Sequence, residues 1–274
     1  MTIVDAHLHV WSLESEGYPI AAGRQAPRID GSAEALLSLM QQSDVASAVI
    51  VQPSVYQYDH RYVTATLQRY PGRFAGVCLV RPLDRDAPQQ LERLVREEGF
   101  QGLRLNPAAE PTSAWLDHPR TEPLWQKAAE LGVIISLLIL PHQMAMAQRM
   151  ITRHPEVTVI IDHLGRPILD GAPAYPAYQE TLRLSEYPNV YMKVSGLPVS
   201  SQQPYPYRDV WPIVRLCLEH FGRERLLWAT DFPWIRQQCG YDACLKVFTE
   251  HMDFLSDEDR AWLLGKTALS LWRL

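Results

Sequence analysis

Eight short apolar runs, rich in valine, isoleucine and leucine, recur along the chain at intervals of roughly 25 to 35 residues. Several of them are apolar at successive positions, which is typical of parallel strands that are covered on both faces. The runs occupy residues 3–10, 46–52, 75–80, 102–105, 133–140, 157–162, 190–195 and 226–230. This recurrence is the feature that most restricts the folds open to the chain.

The segments between the runs carry signals of helix ends. Gly99 and Gly132 follow helix-forming stretches, at positions where glycine commonly ends a helix. Ser256 and Asp259 form a capping-box pattern before a terminal helix that we expect to reach about residue 272. Eight strands alternating with helices over 274 residues predict a (β/α)8 TIM barrel, whose typical length is about 250 residues.

A doubly wound open sheet is the alternative to the barrel. Such a sheet more often carries a glycine-rich phosphate loop after its first strand, and neither GxGxxG nor GxxxxGK[ST] occurs in this sequence. No linker-like stretch divides the chain. We therefore expect one domain over residues 1–274, with long loops at 14–28 and 198–208.

Charge and cysteine content limit the partners and the compartment. The formal net charge is −5 and no segment is a run of lysine and arginine, so neither a nucleic acid nor a membrane is an expected partner. No basic region precedes the first apolar run, and the four cysteines form no CxxC pair. We expect a cytoplasmic protein with reduced thiols and a small-molecule substrate, and the sequence is compatible with a homo-oligomer.

Polar residues at the ends of three predicted strands form the candidate site. His7 and His9 stand two apart on the first strand, and burying two imidazoles side by side is costly unless a ligand, a metal or an acid satisfies them. His163 ends the sixth strand and Asp231 follows the eighth. In a barrel, side chains at the carboxyl ends of the strands meet around one pocket, which makes Asp231 a candidate metal ligand or general base.

Four motifs resemble those of the amidohydrolase superfamily: VDAHLHVW (4–11), DHLGRP (162–167), KVSG (193–196) and WATDFPW (228–234). They are most similar to its amidohydrolase-related branch of metal-dependent barrel hydrolases, which includes sugar-acid lactonases and 2-pyrone-4,6-dicarboxylate lactonase. The resemblance runs from residue 3 to about residue 234, with the motifs in the family's order. It implies that His7, His9, His163 and Asp231 are the catalytic residues and the ligands of one divalent metal ion, zinc or manganese.

The chain departs from the superfamily's fuller metal set at two strands. The fifth strand ends in Leu138-Ile139-Leu140-Pro141, where the superfamily places a histidine, and His142 lies beyond it. The fourth strand ends in Arg104-Leu105-Asn106, with no lysine or carboxylate to bridge two ions. We therefore expect a centre that is either mononuclear or metal-free, and both cases occur in the branch that the sequence resembles.

Other polar and aromatic residues near strand ends are candidates for substrate binding. Arg104 and Lys193 would bring cations to a substrate carboxylate, and Ser195 would bring a hydroxyl group. An ion pair between Lys193 and Asp162 is the alternative for that lysine. The weaker cationic candidates are Arg24, Arg81 and Arg166, and the aromatic residues that could line the pocket are Trp11, Tyr18, Trp234, Tyr205 and Tyr207. We expect Asp5 to be a structural partner, or to hold the imidazoles of the first strand, rather than to bind a metal.

These residues favour a hydrolase that opens a small lactone, such as a sugar-acid lactone, a pyrone or a muconolactone. Asp231 would take a proton from water while the histidines or one metal ion polarise the carbonyl group. Two alternatives are a metal-dependent non-oxidative decarboxylase of an aromatic or unsaturated acid, and a barrel that binds a sugar acid without turnover. A serine nucleophile is disfavoured because no GxSxG motif occurs and no histidine is near Ser195 in sequence.

Overall fold

A computed structural model describes residues 1–13, 17–110, 112 and 114–274 of the chain. Its eight strands form one sheet in sequence order, and each strand runs parallel to the one before it. The strands are β1 (Ile3–Leu8), β2 (Val45–Val51), β3 (Phe74–Cys78), β4 (Phe100–Leu105), β5 (Ile134–Leu137), β6 (Val159–Ile161), β7 (Val190–Val194) and β8 (Leu226–Trp228). The prediction of a (β/α)8 TIM barrel is confirmed, and every strand overlaps a predicted run.

Helices surround the strands and cover their outer faces. The α-helices are α1 (Ala33–Gln42), α2 (Arg61–Arg69), α3 (Ala87–Glu98), α4 (Glu122–Leu131), α5 (Met144–Arg153), α6 (Gln179–Arg183), α7 (Leu197–Ser200), α8 (Trp211–Phe221), α9 (Tyr241–Lys246), α10 (Asp257–Ala261) and α11 (Thr267–Leu271). Gly99 and Gly132 follow α3 and α4 with left-handed backbones, as glycine at a helix end allows. No helix in the described part of the chain combines the length and apolarity that crossing a bilayer requires.

Hydrogen bonds between β1 and the segment that follows β8 close the barrel. The backbone N–H of His9 donates to the carbonyl of Phe232 at 2.7 Å, and that of Asp231 donates to the carbonyl of His7 at 3.0 Å. The buried carboxylate of Asp5 accepts from the backbone N–H of Thr230 at 3.0 Å and from its hydroxyl at 2.5 Å. These bonds join the first strand to the last, so the sheet is nearly a closed ring.

An irregularity in β1 decides which of its residues face the barrel interior. The pairing with β2 shifts between Asp5 and Leu8, where three steps along β1 match two steps along β2. Val4 and Ala6 therefore pack with the interior side chains, whereas Leu8 packs outward against the helices. Asp5 consequently does not share a face with the histidines. Of the two expected roles, the contacts fit that of a structural partner, because the Asp5 carboxylate accepts from the backbone N–H groups of His7 and Thr230 and not from an imidazole ring.

The C-terminal segment closes the amino-terminal end of the barrel. Trp272 is buried with the interior cluster and lies over Gly102, where a side chain would meet its ring. The single terminal helix predicted from Ser256 is three segments, α10, a π-helical turn Trp262–Lys266, and α11. The capping box at its start is confirmed, since the Ser256 hydroxyl accepts from the Asp259 backbone N–H at 3.2 Å.

The structure differs from the prediction in one of the two long loops. The loop predicted at 198–208 is wrong at its start, because α7 occupies Leu197–Ser200 and a proline at its first turn suits a helix beginning. The rest of that segment is irregular up to a short 3-10 turn, Arg208–Val210. In the loop predicted at 14–28, residues 14–16 lie outside the described residues, and 17–28 contain neither helix nor strand.

Candidate active site

The barrel brings His7, His9, His163 and Asp231 together at the carboxyl ends of its strands. The Oδ1 atom of Asp231 lies 3.4 Å from Nε2 of His9 and 3.8 Å from Nε2 of His7. The ring centroid of His7 is 5.1 Å from that of His9 and 4.6 Å from that of His163. We refer to these four residues as the His–Asp cluster. The three imidazoles are buried, and the Asp231 side chain keeps 18% of its surface exposed.

Unusual backbone conformations place two members of the cluster. His163 has a φ of 53° and Asp231 a φ of 61°, in the left-handed region that side chains other than glycine seldom adopt. Both residues lie just beyond a strand, His163 two positions after the end of β6 and Asp231 three positions after the end of β8, so the left-handed step turns the chain at the barrel mouth. Such strained residues often occur at functional sites, where the surrounding structure holds them in place.

Hydrogen bonds fix the ring orientations of His9 and His163. Nδ1 of His9 lies 2.8 Å from the carbonyl oxygen of Val51, which can only accept, so Nδ1 carries a proton and Nε2 faces Asp231. Nδ1 of His163 lies 2.9 Å from the hydroxyl of Ser195. The structure thus places beside Ser195 a histidine that is distant in sequence. The Ser195 hydroxyl contacts Nδ1 of this imidazole and fixes the orientation of its ring.

Asp162 is the central anion beneath the cluster. Its Oδ1 lies 2.9 Å from Nζ of Lys193 and 3.4 Å from Nδ1 of His7, and its Oδ2 accepts from Nε of Arg104 at 3.0 Å. The ion pair with Lys193 is therefore formed, and Asp162 is the carboxylate partner of Arg104. Sequence reasoning treated Asp162 only as a partner of Lys193. Its position two residues after Ile160, which faces the interior, was the signal that it points inward.

Burial and neighbouring charges set the protonation of the cluster. Burial lowers the pKa of His163 to about 4, and it also holds the pKa of His7 well below its usual value, with Lys193 acting in the same direction. Burial alone would raise the pKa of Asp231, but the imidazoles of His163, His9 and His7 lower it overall. At neutral pH the buried His7 and His163 are neutral, whereas Asp231 is a carboxylate that can accept a proton.

A cavity of about 380 Å³ opens beside the cluster at the ends of β2, β3 and β4. We call it the arginine cavity, because Arg24, Arg81 and Arg104 line it together with Gln52 and Asn106. Arg104 connects this cavity to the carboxylate beneath the His–Asp cluster, since its Nε donates to Asp162. The guanidinium of Arg81 lies over the ring of Tyr58, 4.9 Å from its centroid. Asp84 and Glu110 also line the cavity, so the three arginines leave a small excess of positive charge, which suits a ligand that carries a carboxylate or another anionic group.

Three predicted aromatic contacts lie elsewhere than in the arginine cavity. Trp11 is fully buried, donates from Nε1 to the carbonyl of Ile29, and packs against the half-exposed Trp234 at 5.1 Å. Tyr18 packs edge-on against Tyr62 and lines a separate cavity between α1 and α2. Among the described residues, none of Trp11, Tyr18 and Trp234 lines the arginine cavity.

The other residues predicted to bind a substrate contact neighbouring side chains. Lys193 has no exposed surface and Ser195 is 1% exposed, and each contacts a histidine of the cluster, Lys193 at Nδ1 of His7 and Ser195 at Nδ1 of His163. Their contact with a substrate stays a prediction. Arg166 is partly buried close enough to Asp231 for the charge of that carboxylate to affect its pKa. Tyr205 and Tyr207 contact each other at 5.9 Å, and Tyr205 also contacts His251, away from the cavity.

The donor atoms of the cluster are close enough to hold one metal ion. One donor atom from each of His7, His9 and Asp231 lies within 4.8 Å of the others, and His7, Asp162 and His163 form a second such group. Nε2 of His7 is buried and has no hydrogen-bond partner among the described residues. An unsatisfied buried nitrogen is costly, so Nε2 of His7 requires a bound metal, water or substrate atom.

His142 is exposed, on a 3-10 turn, Pro141–Gln143, that follows β5.

Comparisons with known proteins place these features in context. The family model for the amidohydrolases matches residues 4–274. An L-fucono-1,5-lactonase of Burkholderia ambifaria is 28% identical over 99% of this chain and 95% of that protein. A 4-sulfomuconolactone hydrolase of Hydrogenophaga intermedia is 25% identical over 84% of this chain and 74% of that protein. A Pseudomonas putida structure, provisionally named a 2-pyrone-4,6-dicarboxylic acid hydrolase, superposes with a TM-score of 0.84 at 26% identity, covering 98% of this chain and 97% of that one.

Proposed function

This chain belongs to the amidohydrolase family, and we propose on that premise that it hydrolyses a small lactone. The observation that carries the proposal is the position of Asp231, whose partly exposed carboxylate lies within 4 Å of the Nε2 atoms of two neighbouring histidines at the barrel mouth. Relatives named for lactone and muconolactone hydrolysis support the same reaction class. A lactone is an activated ester, so one base and one electrophile are sufficient chemistry for its opening.

In the proposed mechanism Asp231 acts as the general base. Its carboxylate takes a proton from water as the oxygen attacks the lactone carbonyl, and the developing oxyanion is stabilised by the histidines of the cluster. Collapse of the tetrahedral intermediate breaks the ring C–O bond. The protonated Asp231 then returns its proton to the leaving ring oxygen, which yields an open-chain hydroxy acid and restores the carboxylate.

The same donor atoms fit one divalent cation. Nε2 of His9, Oδ1 of Asp231 and, when the proton of its ring is on Nδ1, Nε2 of His7 would hold it, and the unsatisfied Nε2 of His7 is the observation that fits a bound group there. When bound, a zinc or manganese ion would supply Lewis-acid polarisation of the carbonyl. His163 lies against His7 as a further nitrogen donor.

We propose that the substrate carries a carboxylate or a similar anion in addition to its lactone ring. Arg104 connects the arginine cavity to Asp162 beneath the cluster, and Arg24 and Arg81 add two more cations to the same cavity. The relatives named for a sulfonated muconolactone and for a pyrone dicarboxylic acid also act on anionic rings according to their names.

Three broader predictions are also proposals. We propose that residues 1–274 form one domain, that the protein works in the cytoplasm, and that it acts on a small molecule without a nucleic-acid or membrane partner. Size-exclusion chromatography with light scattering would give the oligomeric state, which the sequence predicts only as compatible with a homo-oligomer.

A screen with a pH indicator tests the proposed reaction. The purified protein would be offered sugar-acid 1,5-lactones, muconolactones and pyrone dicarboxylic acids, before and after chelation, and with added Zn²⁺ or Mn²⁺. We expect acid release from at least one anionic lactone. Release of CO₂ without ring opening would contradict the proposal and indicate a decarboxylase, and binding without any turnover would indicate a binding protein.

A further inference from the structure

We propose that Lys193 is a positioning residue that holds His7 in the tautomer with its proton on Nε2. His7 then donates a hydrogen bond to the substrate carbonyl and is a poor metal ligand. The inference rests on the proposed lactone hydrolysis for its catalytic meaning, but the tautomer itself can be measured without any substrate.

The contacts of the Lys193 ammonium group carry the argument. Nζ lies 3.1 Å from Nδ1 of His7, 3.1 Å from Oγ of Ser136 and 2.9 Å from Oδ1 of Asp162. A lysine ammonium has three N–H donors and no acceptor, so these three partners use all of its hydrogen-bonding capacity. Nδ1 of His7 also lies 3.4 Å from Oδ1 of Asp162, but the ammonium at 3.1 Å is closer and can only donate, so we place the proton of the neutral ring on Nε2.

His9 has the opposite arrangement, although it stands only two residues away. Its Nδ1 donates to the carbonyl oxygen of Val51, so its Nε2 has the lone pair. Histidines that bind a metal through Nε2 normally donate from the other nitrogen to a carbonyl or carboxylate, as His9 does here. The two members of the His-x-His motif are therefore oriented for different tasks: His9 as an acceptor or ligand and His7 as a donor.

The surroundings of His7 Nε2 agree with a donor that faces the substrate. This nitrogen is buried, has no hydrogen-bond partner among the described residues, and lies 3.8 Å from the carboxylate that would activate water. A substrate carbonyl oxygen within hydrogen-bond distance of this nitrogen would satisfy it. Coordination of a cation through the same atom would require the proton to move to Nδ1, toward the ammonium of Lys193. Lys193 thus favours carbonyl donation and opposes metal binding.

Nitrogen NMR on the wild-type protein tests the tautomer directly. With ¹⁵N-labelled histidine in metal-free buffer at neutral pH, two-bond correlations from the ring carbon-bound protons distinguish a protonated Nδ1 from a protonated Nε2. His7→Gln and His9→Gln variants assign the two signals. We expect a protonated Nε2 in His7 and a protonated Nδ1 in His9. A protonated Nδ1 in wild-type His7 would overturn the proposal, whatever the activity of the enzyme.

A pair of variants tests the role of Lys193. Lys193→Met keeps the length of the side chain and removes its donors, whereas Ser136→Ala removes another contact of Lys193 and leaves its contact with His7 in place. In Lys193→Met we expect His7 to change tautomer, kcat to fall about 100-fold, as for loss of an oxyanion donor, and Zn²⁺ to bind at least about tenfold more tightly by calorimetry.

Ser136→Ala is the control for Lys193→Met, and several results would contradict the proposal. Ser136→Ala should retain the wild-type tautomer and the wild-type Zn²⁺ affinity. An unchanged His7 tautomer or an unchanged Zn²⁺ affinity in Lys193→Met would overturn the proposal. If Lys193→Met does not fold, the wild-type NMR result still decides. A His7 that is protonated on Nε2 in a protein that opens no lactone would refute the proposed function alone.

Discussion

At the scale of single residues, the chemistry of this protein depends on which partners each titratable group meets. Asp162 and Asp231 are both aspartates at the barrel mouth, yet Asp162 is fully buried among two cations and Asp231 keeps exposed surface beside imidazoles. Because Asp162 is already paired with Lys193 and Arg104, its carboxylate is not available as a base. The partly exposed Asp231 is the carboxylate that can reach water.

The role of Asp231 leads to the first prediction. Asp231→Asn should lower kcat by at least about 10³-fold, because an amide cannot take the proton of the attacking water, while ligand binding and folding remain close to wild type. Steady-state kinetics and ligand calorimetry would measure both effects. Asp242→Asn is the matched control, since Asp242 is exposed and forms a surface ion pair with Lys246. Turnover within tenfold of wild type in Asp231→Asn would remove the residue as the base.

The arginine cavity leads to a prediction about specificity. Arg24→Ala and Arg81→Ala should each raise KM for a carboxylated lactone about tenfold, since a charged hydrogen bond contributes about 1.5–3 kcal/mol. KM for an uncharged sugar lactone should change little. Initial rates on both substrate types provide the comparison, with Arg69→Ala as a surface control because Arg69 pairs with Glu34 on the outside of the barrel. Equal effects on both substrates would contradict anion recognition by this cavity.

At the scale of secondary structure elements, single polar side chains connect segments that have no strand pairing between them. His60, just before α2, accepts from the backbone N–H of Leu79, just after β3, and its ring packs edge-on against Phe100. Asp5 in β1 similarly binds Thr230, just after β8, and so connects the first strand to the last. In both cases a buried side chain satisfies backbone groups that the barrel geometry leaves unpaired.

His60 leads to a prediction about acid stability. Burial lowers its pKa from 6.5 to about 4, so the folded state keeps it neutral while the unfolded state gains a proton below pH 6.5. The free energy of unfolding should therefore fall by up to about 3 kcal/mol more between pH 6.5 and pH 4 than in His60→Gln. Urea denaturation across this pH range would measure the difference, and parallel curves for the two proteins would contradict the prediction.

The closure between β1 and β8 leads to a further prediction. Thr230→Val removes the hydroxyl that donates to Oδ2 of Asp5 and that accepts from the backbone N–H of Phe232, so both atoms lose this partner, although Oδ1 of Asp5 keeps its backbone donors. We expect the free energy of unfolding to fall by about 2–3 kcal/mol, and kcat to fall as well because Asp231 is the next residue. Thr249→Val, at a weaker contact of 3.4 Å within one helical segment, is the control. A variant as stable as this control would show that the bonds to Asp5 contribute little.

At the scale of the whole molecule, the C-terminal segment completes the barrel that the N-terminal strand begins. Gly265, in the π-helical turn, lies so close to the start of β1 that a Cβ atom there would be 1.9 Å from the carbonyl oxygen of Thr2. This close approach positions α11 and Trp272 under the barrel, where Trp272 contacts the interior side chains. Residues from the two ends of the chain thus share one core.

Gly265 leads to the last prediction. Gly265→Ala should lower the free energy of unfolding by at least about 3 kcal/mol, at the upper end for overpacked positions, because the clash is with backbone and not with a flexible side chain. Gly17→Ala should be neutral, because an added Cβ would meet no atom within 4 Å among the described residues beyond its chain neighbours. Chemical denaturation of the two variants tests the difference, and a wild-type midpoint for Gly265→Ala would contradict the packing described.

The sequence by itself determined the elements and the members of the His–Asp cluster. Eight apolar runs predicted eight parallel strands, because buried strands need apolar residues on both faces, and the polar residues at strand ends had to meet at one end of a barrel. His7, His9, His163 and Asp231 could therefore be grouped although they are far apart in the chain. Their catalytic and metal-binding roles stay predictions.

Only the tertiary structure decided how these residues are connected to one another. The irregularity in β1 directs Asp5 away from the histidines, and strand pairing alone reveals it, since neither residue type nor spacing marks an extra residue. The partners of Lys193, Arg104 and Ser195 come from other strands, and burial decides whether a cation faces a ligand or a carboxylate. Hydrogen-bond partners also decide which nitrogen of each imidazole carries its proton, and a sequence contains no record of contacts between distant strands.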